Sequence, residues 1–240
     1  MAVVNATARQ GRGKPKSQHI SVPSSATLMA TRSKPYFSRR RRFKAAMRIG
    51  IVSDIHCNIA GLKSAFDVMG EIDQLLCLGD SIFEYRFSNE VVAELRTQDA
   101  LVIQGNHEET FFGIGGVRAR AAPSIEEDHA LWLADQPLRR DIVLDGRRLH
   151  ICHSTPWEPR GAYIIPENRE MARFGDTDTD VVMYGHTHRQ TIQTLNNTLI
   201  INPGSAGDAR DSSNGRRLSC AVLETDPLSA TIIDYDATPL

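Results

Sequence analysis

From Met47 onward, short apolar runs alternate with amphipathic segments, and this alternation constrains the fold more than any other feature of the chain. Arg48 to Ser53, Gln74 to Leu78 and Ala100 to Gln104 have the length and composition of strands, while Ile59 to Met69 and Asn89 to Arg96 space their apolar residues along one helical face. Strands that alternate with helices in this way predict β-α-β units on a largely parallel sheet. Asn58 and Ser88 stand where the N-caps of the two helices fall. A third helix is expected over Ile125 to Asp135, with Ser124 as its cap and Pro137 just beyond its end.

After Pro137 the rhythm changes. Asp141 to Leu144 and Arg148 to Cys152 flank Asp145-Gly146, and Thr191 to Leu195 and Thr198 to Ile201 flank Asn196-Asn197, both of which are hairpin signals. Leu218 to Glu224 and Ser229 to Tyr235, joined through Asp226-Pro227, predict a last strand pair. Pro166 to Phe174 reads as a short helix and Val181 to Tyr184 as a strand. With no internal repeat and no linker, residues 47–240 are expected to form one α/β domain whose second sheet is mixed.

Charge separates this region from what precedes it. Residues 1–46 hold eleven of the 28 Lys and Arg and none of the 29 Asp and Glu, so the remainder carries a balance of -12. The basic segment ends in Arg39-Arg40-Arg41-Arg42, lacks hydrophobic periodicity and is expected to be disordered in isolation. It reads as sequence that is not translated, ahead of a true start at Met47, as an organelle transit peptide, or as an arm that neutralises nucleic-acid phosphates. Cys57, Cys77, Cys152 and Cys220 are widely spaced without a C-x-x-C pair, which suits a reduced, cytoplasmic compartment rather than a disulfide scaffold. No apolar stretch approaches the roughly 20 residues that cross a bilayer.

The chemistry collects where apolar runs end. Asp54 and His56 follow the first strand, Gly79-Asp80 the second and Gly105-Asn106-His107 the third; His153 closes a later run and Gly185-His186-Thr187-His188 another. Ligands of open α/β sheets bind outside the carboxyl ends of strands, so these five stations should meet on one rim. Their imidazole and oxygen donors suit Mn, Fe, Zn or Ni, and the missing cysteine pair argues against a structural thiolate zinc site. Seven such donors exceed one tetrahedral site and match two ions with open positions. Two ions roughly 3.5–4 Å apart clamp the attacking and leaving oxygens of an in-line displacement and turn a water held between them into hydroxide.

The series Asp54-Ile55-His56, Gly79-Asp80, Gly105-Asn106-His107-Glu108, His153 and Gly185-His186-Thr187-His188 resembles the calcineurin-like metallophosphoesterase superfamily in order and approximate spacing. Asn202-Pro203-Gly204-Ser205 narrows the resemblance to small prokaryotic phosphodiesterases of the YfcE type. The resemblance implies an α/β fold, a four-layer α/β/β/α sandwich of two mixed sheets. It implies a phosphoesterase with two divalent ions, Mn favoured, acting on a small phosphodiester or phosphomonoester. One ion would take Asp54, His56 and His188, the other Asn106, His153 and His186, with Asp80 bridging and His107 helping the leaving group depart. Asn58 and Arg210 would face substrate, although Asn58 reads equally as a helix cap and Arg210 as a solvated side chain.

Glycine commonly follows the first histidine and the His153 equivalent in that family; Cys57 and Ser154 stand there instead. Strand-like alternation would turn Asp54 and His56 to one side and Ile55 and Cys57 to the other, making the cysteine a neighbour rather than a ligand. His129 and His150 read as packing or surface residues, Trp132 as core rather than a base-stacking platform, and Trp157 as either packing or a wall of the substrate cleft. Two rival readings are a phosphoesterase-fold scaffold that works through protein contacts, as the retromer subunit of this fold does, and a nucleic-acid phosphoesterase guided by the basic arm.

Overall fold

A computed structural model of the chain describes residues 46–158 and 160–236. The expectations for the basic extension lie outside the described residues, apart from Ala46. The first half runs β1 (Arg48–Val52), α1 (Ile59–Met69), β2 (Gln74–Cys77), α2 (Asn89–Thr97), β3 (Leu101–Val102), α3 (Asn106–Phe112), α4 (Val117–Arg120) and α5 (Glu127–Ala134). The second half holds β4 (Arg139–Leu144), β5 (Arg147–Cys152), a 3-10 segment over Arg169–Asp176, β6 (Val181–Met183), β7 (Thr191–Leu195), β8 (Thr198–Asn202), β9 (Leu218–Thr225) and β10 (Leu228–Tyr235).

Among the described residues these strands form two five-stranded sheets, ordered β10-β9-β1-β2-β3 and β4-β5-β6-β8-β7. Both are mixed. In the first, β1, β2 and β3 are parallel while β9 and β10 add antiparallel. In the second, β5, β6 and β8 are parallel, flanked by the hairpin strands β4 and β7.

The period-two alternation of strand side chains explains the layering. Ile49, Ile51, Leu76 and Leu78 of the first sheet pack against Leu149, Ile151, Val181, Met183 and Ile201 of the second. The opposite positions, Val52, Leu75, Cys77 and Val102, meet Leu62, Ala65, Val91 and Leu95 of α1 and α2. On the outer face of the second sheet, Cys152, Val182, Tyr184 and Ile200 lie against Met171 and Phe174. The result is helices, sheet, sheet and a thin 3-10 layer, with each fully buried aliphatic side chain contributing about 1.5–3 kcal/mol.

Local signals fixed several boundaries. The Asn58 side chain accepts from the Gly61 amide and Ser88 from that of Val91, as expected of N-caps. Asp145 and Gly146, and likewise Asn196 and Asn197, have positive φ, the type I′ signature of two-residue hairpins. Elsewhere the structure departs from expectation. β3 stops at Val102, because the Gln104 amide donates to the Pro137 carbonyl rather than continuing the ladder. α5 begins at Glu127 and Ser124 does not cap it; Asn89 instead clamps this entry, donating to the Ser124 carbonyl and accepting from the Glu126 amide. The helix expected from Pro166 is a 3-10 segment that starts after Asn168, whose side chain accepts from Glu170.

Candidate metal centre

The five polar stations do converge. Asp54, Asp80 and Asn106 lie just beyond the carboxyl ends of β1, β2 and β3, while His153 and the His186–His188 turn lie beyond β5 and β6. The rim therefore spans the seam between the sheets. The backbone there is not pleated. Asp54, His56, Cys57, Asp80, His186 and His188 all have positive φ, between 48° and 66°. A non-glycine residue in this left-handed region costs roughly 1–2 kcal/mol. The strand alternation expected for Asp54 to Cys57 is thus replaced by a turn, which still brings Asp54 and His56 together and sends Ile55 into the core.

Two groups of buried donors result. Asp54, His56 and His188 form one, and Asp80, His153 and His186 the other, the donor atoms of each lying within 4.8 Å of one another. His188 Nε2 is 3.1 Å from His56 Nε2 and 3.3 Å from Asp54 Oδ1. His153 Nε2 is 3.2 Å from Asp80 Oδ2 and 3.1 Å from Asn106 Oδ1. Asp80 also belongs to a third grouping with His56 and His107, so its carboxylate lies between the two ends.

Surrounding groups aim these side chains. The Nδ1 atoms of His153 and His188 hydrogen-bond the Leu78 and Asp208 carbonyls, each at 2.7 Å, which leaves Nε2 to face the centre. Asp54 Oδ2 accepts from the Ser53 hydroxyl at 2.5 Å and the His186 amide at 3.1 Å. Its Oδ1 is buried without a hydrogen-bond partner, as is His186 Nε2. Orphaned acceptors of this kind are costly unless a cation satisfies them, so the donor set fits divalent ions.

The electrostatics of the ion-free site divide its histidines. Burial holds His56 and His186 down to about 4, so both are neutral and able to ligate near pH 7. His153 is pushed up to about 10: burial opposes its charge, but the Asp80 and Asp54 carboxylates outweigh it. Asp54 is buried yet held well below the usual carboxylate range, chiefly by the nearby His188 imidazole. Asp80 is likewise lowered, with His153 overcoming the burial penalty.

His107 differs from these seven. Its side chain is 19% exposed, and Nε2 lies 3.7 Å from Asp80 Oδ2. Nδ1 is approached by both the Glu84 amide, at 3.1 Å, and the Glu84 carboxylate.

Some positioning residues carried little or no sequence signal. Glu108 is fully buried and accepts from four backbone amides, those of Asp80, Ser81, Ile82 and Gly105, tying the Asp80 turn to the start of α3. Its interaction with Gly105 is the returning half of a capping box, a signal legible in Gly105-Asn106-His107-Glu108. Asn202 Nδ2 donates to the Gly185 carbonyl, and the Ser205 hydroxyl to that of Asp54. Close approach explains two glycines: a Cβ on Gly105 would lie 2.2 Å from Asp80 Oδ1, and one on Gly185 would lie 1.9 Å from Ser53 Oγ.

The remaining sites divide. Asn58 Oδ1 caps α1 and its Nδ2 donates to the Gly207 carbonyl. Arg210 is exposed and pairs with Asp208, the residue whose carbonyl orients His188. Trp157 packs edge-on against Phe174 with Arg173 over its ring. The rings stacked on site histidines are others: Phe83 on His56, with centroids 4.6 Å apart, and Tyr163 on His186, at 3.8 Å.

Residues 47–227 match the calcineurin-like phosphoesterase superfamily domain. The chain belongs to this family. It is accordingly a phosphoesterase-type hydrolase, in a family that depends on metals. A curated, uncharacterised protein of Methanocaldococcus jannaschii is 24% identical over 221 residues, covering 78% of this chain and 88% of its own. A phosphodiesterase of the same archaeon is 21% identical over 160 residues, covering 66% of this chain and 83% of its own, in keeping with the narrower resemblance. The crystal structure of a metallophosphoesterase from Sphaerobacter thermophilus superimposes with a TM-score of 0.63 at 27% identity, covering 79% of this chain and 89% of that one. No helix among the described residues is long and apolar enough to cross a membrane.

Proposed function

We propose that the protein hydrolyses a small phosphodiester or phosphomonoester at a centre of two divalent transition metal ions, Mn being favoured. The observation that carries this reading is the pair of buried donor groups with Asp80 between them. Asp54, His56 and His188 would hold one ion, and Asn106, His153 and His186 the other, with Asp80 shared. Ions so held supply positive charge to the phosphoryl oxygens and lower the pKa of an attacking water.

The chain's own residues do the rest. His107, half-buried beside the shared carboxylate, donates a proton from Nε2 to the departing alkoxide, with Glu84 held against its Nδ1. Asp80 Oδ1 accepts from the His107 amide at 2.9 Å, so the bridging carboxylate and the acid are fixed to each other. The test is hydrolysis of bis-p-nitrophenyl phosphate by the Mn-loaded full chain, with metal stoichiometry measured in parallel. Two bound ions and turnover are expected. A folded protein that binds no transition metal, or binds two and never turns over, would sink the proposal.

A further inference from the structure

Of the two rings that stack on site histidines, one is spoken for and one is free. Phe83 is half-buried, with His56 stacked on it and the Arg86 guanidinium lying over its ring at 4.7 Å. Tyr163 stacks on His186 at 3.8 Å with an interplanar angle of 29°, yet remains 61% exposed. An aromatic side chain with one face on a buried polar centre and the other in solvent is unusual, because burying its apolar faces normally stabilises the fold.

The chain also holds this ring in place. The Ser154 hydroxyl donates to the carbonyl of the adjacent Ala162 at 2.6 Å. Arg160, three residues before the tyrosine, pairs with Glu109 of α3 at 2.5 Å. Ser154 stands where the family resemblance leads one to expect glycine. The extra hydroxyl is what ties down the tyrosine's neighbour.

We propose that Tyr163 is a specificity-determining residue, a fixed shelf on which a planar aromatic arm of the substrate stacks while its phosphoryl group lies at the adjoining centre. The biological form of such an arm is the nucleobase of a nucleoside phosphodiester. This rests on the phosphoesterase reading and refines its substrate class. Base-on-aromatic stacking in proteins is large enough to change specificity about tenfold.

Three esters with one leaving group test it on the Mn-loaded full chain: the methyl, phenyl and thymidine 5′ esters of p-nitrophenyl phosphate. The bond broken is the same in each, so ratios of kcat/KM isolate the second arm. The thymidine and phenyl esters should exceed the methyl ester by about tenfold, chiefly through KM, and Tyr163→Ala should collapse both ratios while Tyr163→Phe retains them. Ratios unchanged within twofold in Tyr163→Ala would overturn the proposal, as would a preference for phenyl without thymidine. Calorimetry with adenosine 5′-monophosphate and ribose 5-phosphate reads the same shelf without turnover. If no ester is hydrolysed but the Tyr163-dependent preference for the nucleotide persists, the shelf stands and the esterase reading falls. Equal dissociation constants for the two ligands would overturn the shelf.

Discussion

Loading metal into the ion-free protein should expel protons, and the amount follows from the site. Near pH 7.5 His56 and His186, held at about 4, are already neutral and release nothing. Asp54 and Asp80, both lowered, are already ionised. His153, pushed up to about 10, carries a proton that a cation must displace, and His188 is shifted in the same direction. Roughly one to two protons should therefore leave per protein at pH 7.5. The affinity should rise about tenfold per pH unit for each proton released, until the pH passes the pKa of the histidine concerned. Calorimetric titration of Mn in Tris and in Pipes, whose ionisation enthalpies differ, measures the proton number directly. Stability supplies a second reading. A histidine raised in the fold stabilises fully below its unfolded value of about 6.5, and that contribution is lost as pH climbs toward 10. His56 and His186 act oppositely, destabilising the fold as pH falls from about 6.5 through 4. Above pH 6.5 the chelator-treated chain should thus lose stability from His153 as pH rises, and the metal-loaded chain should not. No buffer dependence of the binding enthalpy, with two ions bound, would refute the reasoning.

Three further outcomes follow from the geometry. Glu108→Gln keeps the shape but leaves two of four backbone amides without an acceptor, so denaturant unfolding should show a loss of about 2 kcal/mol and Mn affinity should drop; an unchanged midpoint contradicts this. Gly185→Ala puts a methyl group against Ser53 Oγ and Asp54 Oδ2, and metal stoichiometry should fall from two toward one. Cys57→Gly should retain both ions while His56→Ala weakens one, because Cys57 Sγ donates to the Arg86 carbonyl and turns away from the centre.

Much of this molecule is legible before any coordinates. Apolar periodicity placed β1, α1 and α2, and side chains with one local task, Asn58, Ser88 and the Asn196-Asn197 turn, marked their own boundaries. The convergence of Asp54, Asp80, Asn106, His153, His186 and His188 followed from strand polarity alone. What escaped depends on distant partners. Ser124 looks like a cap, but Asn89, 35 residues away, takes over that entry. Asp54 and His56 read as pleated because the local pattern is apolar and alternating, whereas hydrogen bonds from the Asp54 and His56 amides to the Gly79 and Asp80 carbonyls hold them in a turn. Tyr163 had no signal at all, since its position depends on Ser154, Arg160 and a glutamate in α3.

The placement of the rim across the seam has a mechanical consequence. Asp54, His56, Asp80 and Asn106 extend from one sheet and His153, His186 and His188 from the other. A cation held by both sides would act as a rivet between two plates that are otherwise joined by apolar contact and a few hydrogen bonds, such as those from Arg140 to the Val102 carbonyl and Arg147 to that of Thr225. Shear of one sheet past the other would have to break coordination bonds, so metal would slow amide exchange in β5 and β6 as much as in β1 and β2. With free ion at a hundredfold excess over its dissociation constant, each rivet adds about 2.7 kcal/mol against unfolding. The same atoms that would carry out hydrolysis would then lock the two halves of the fold in register.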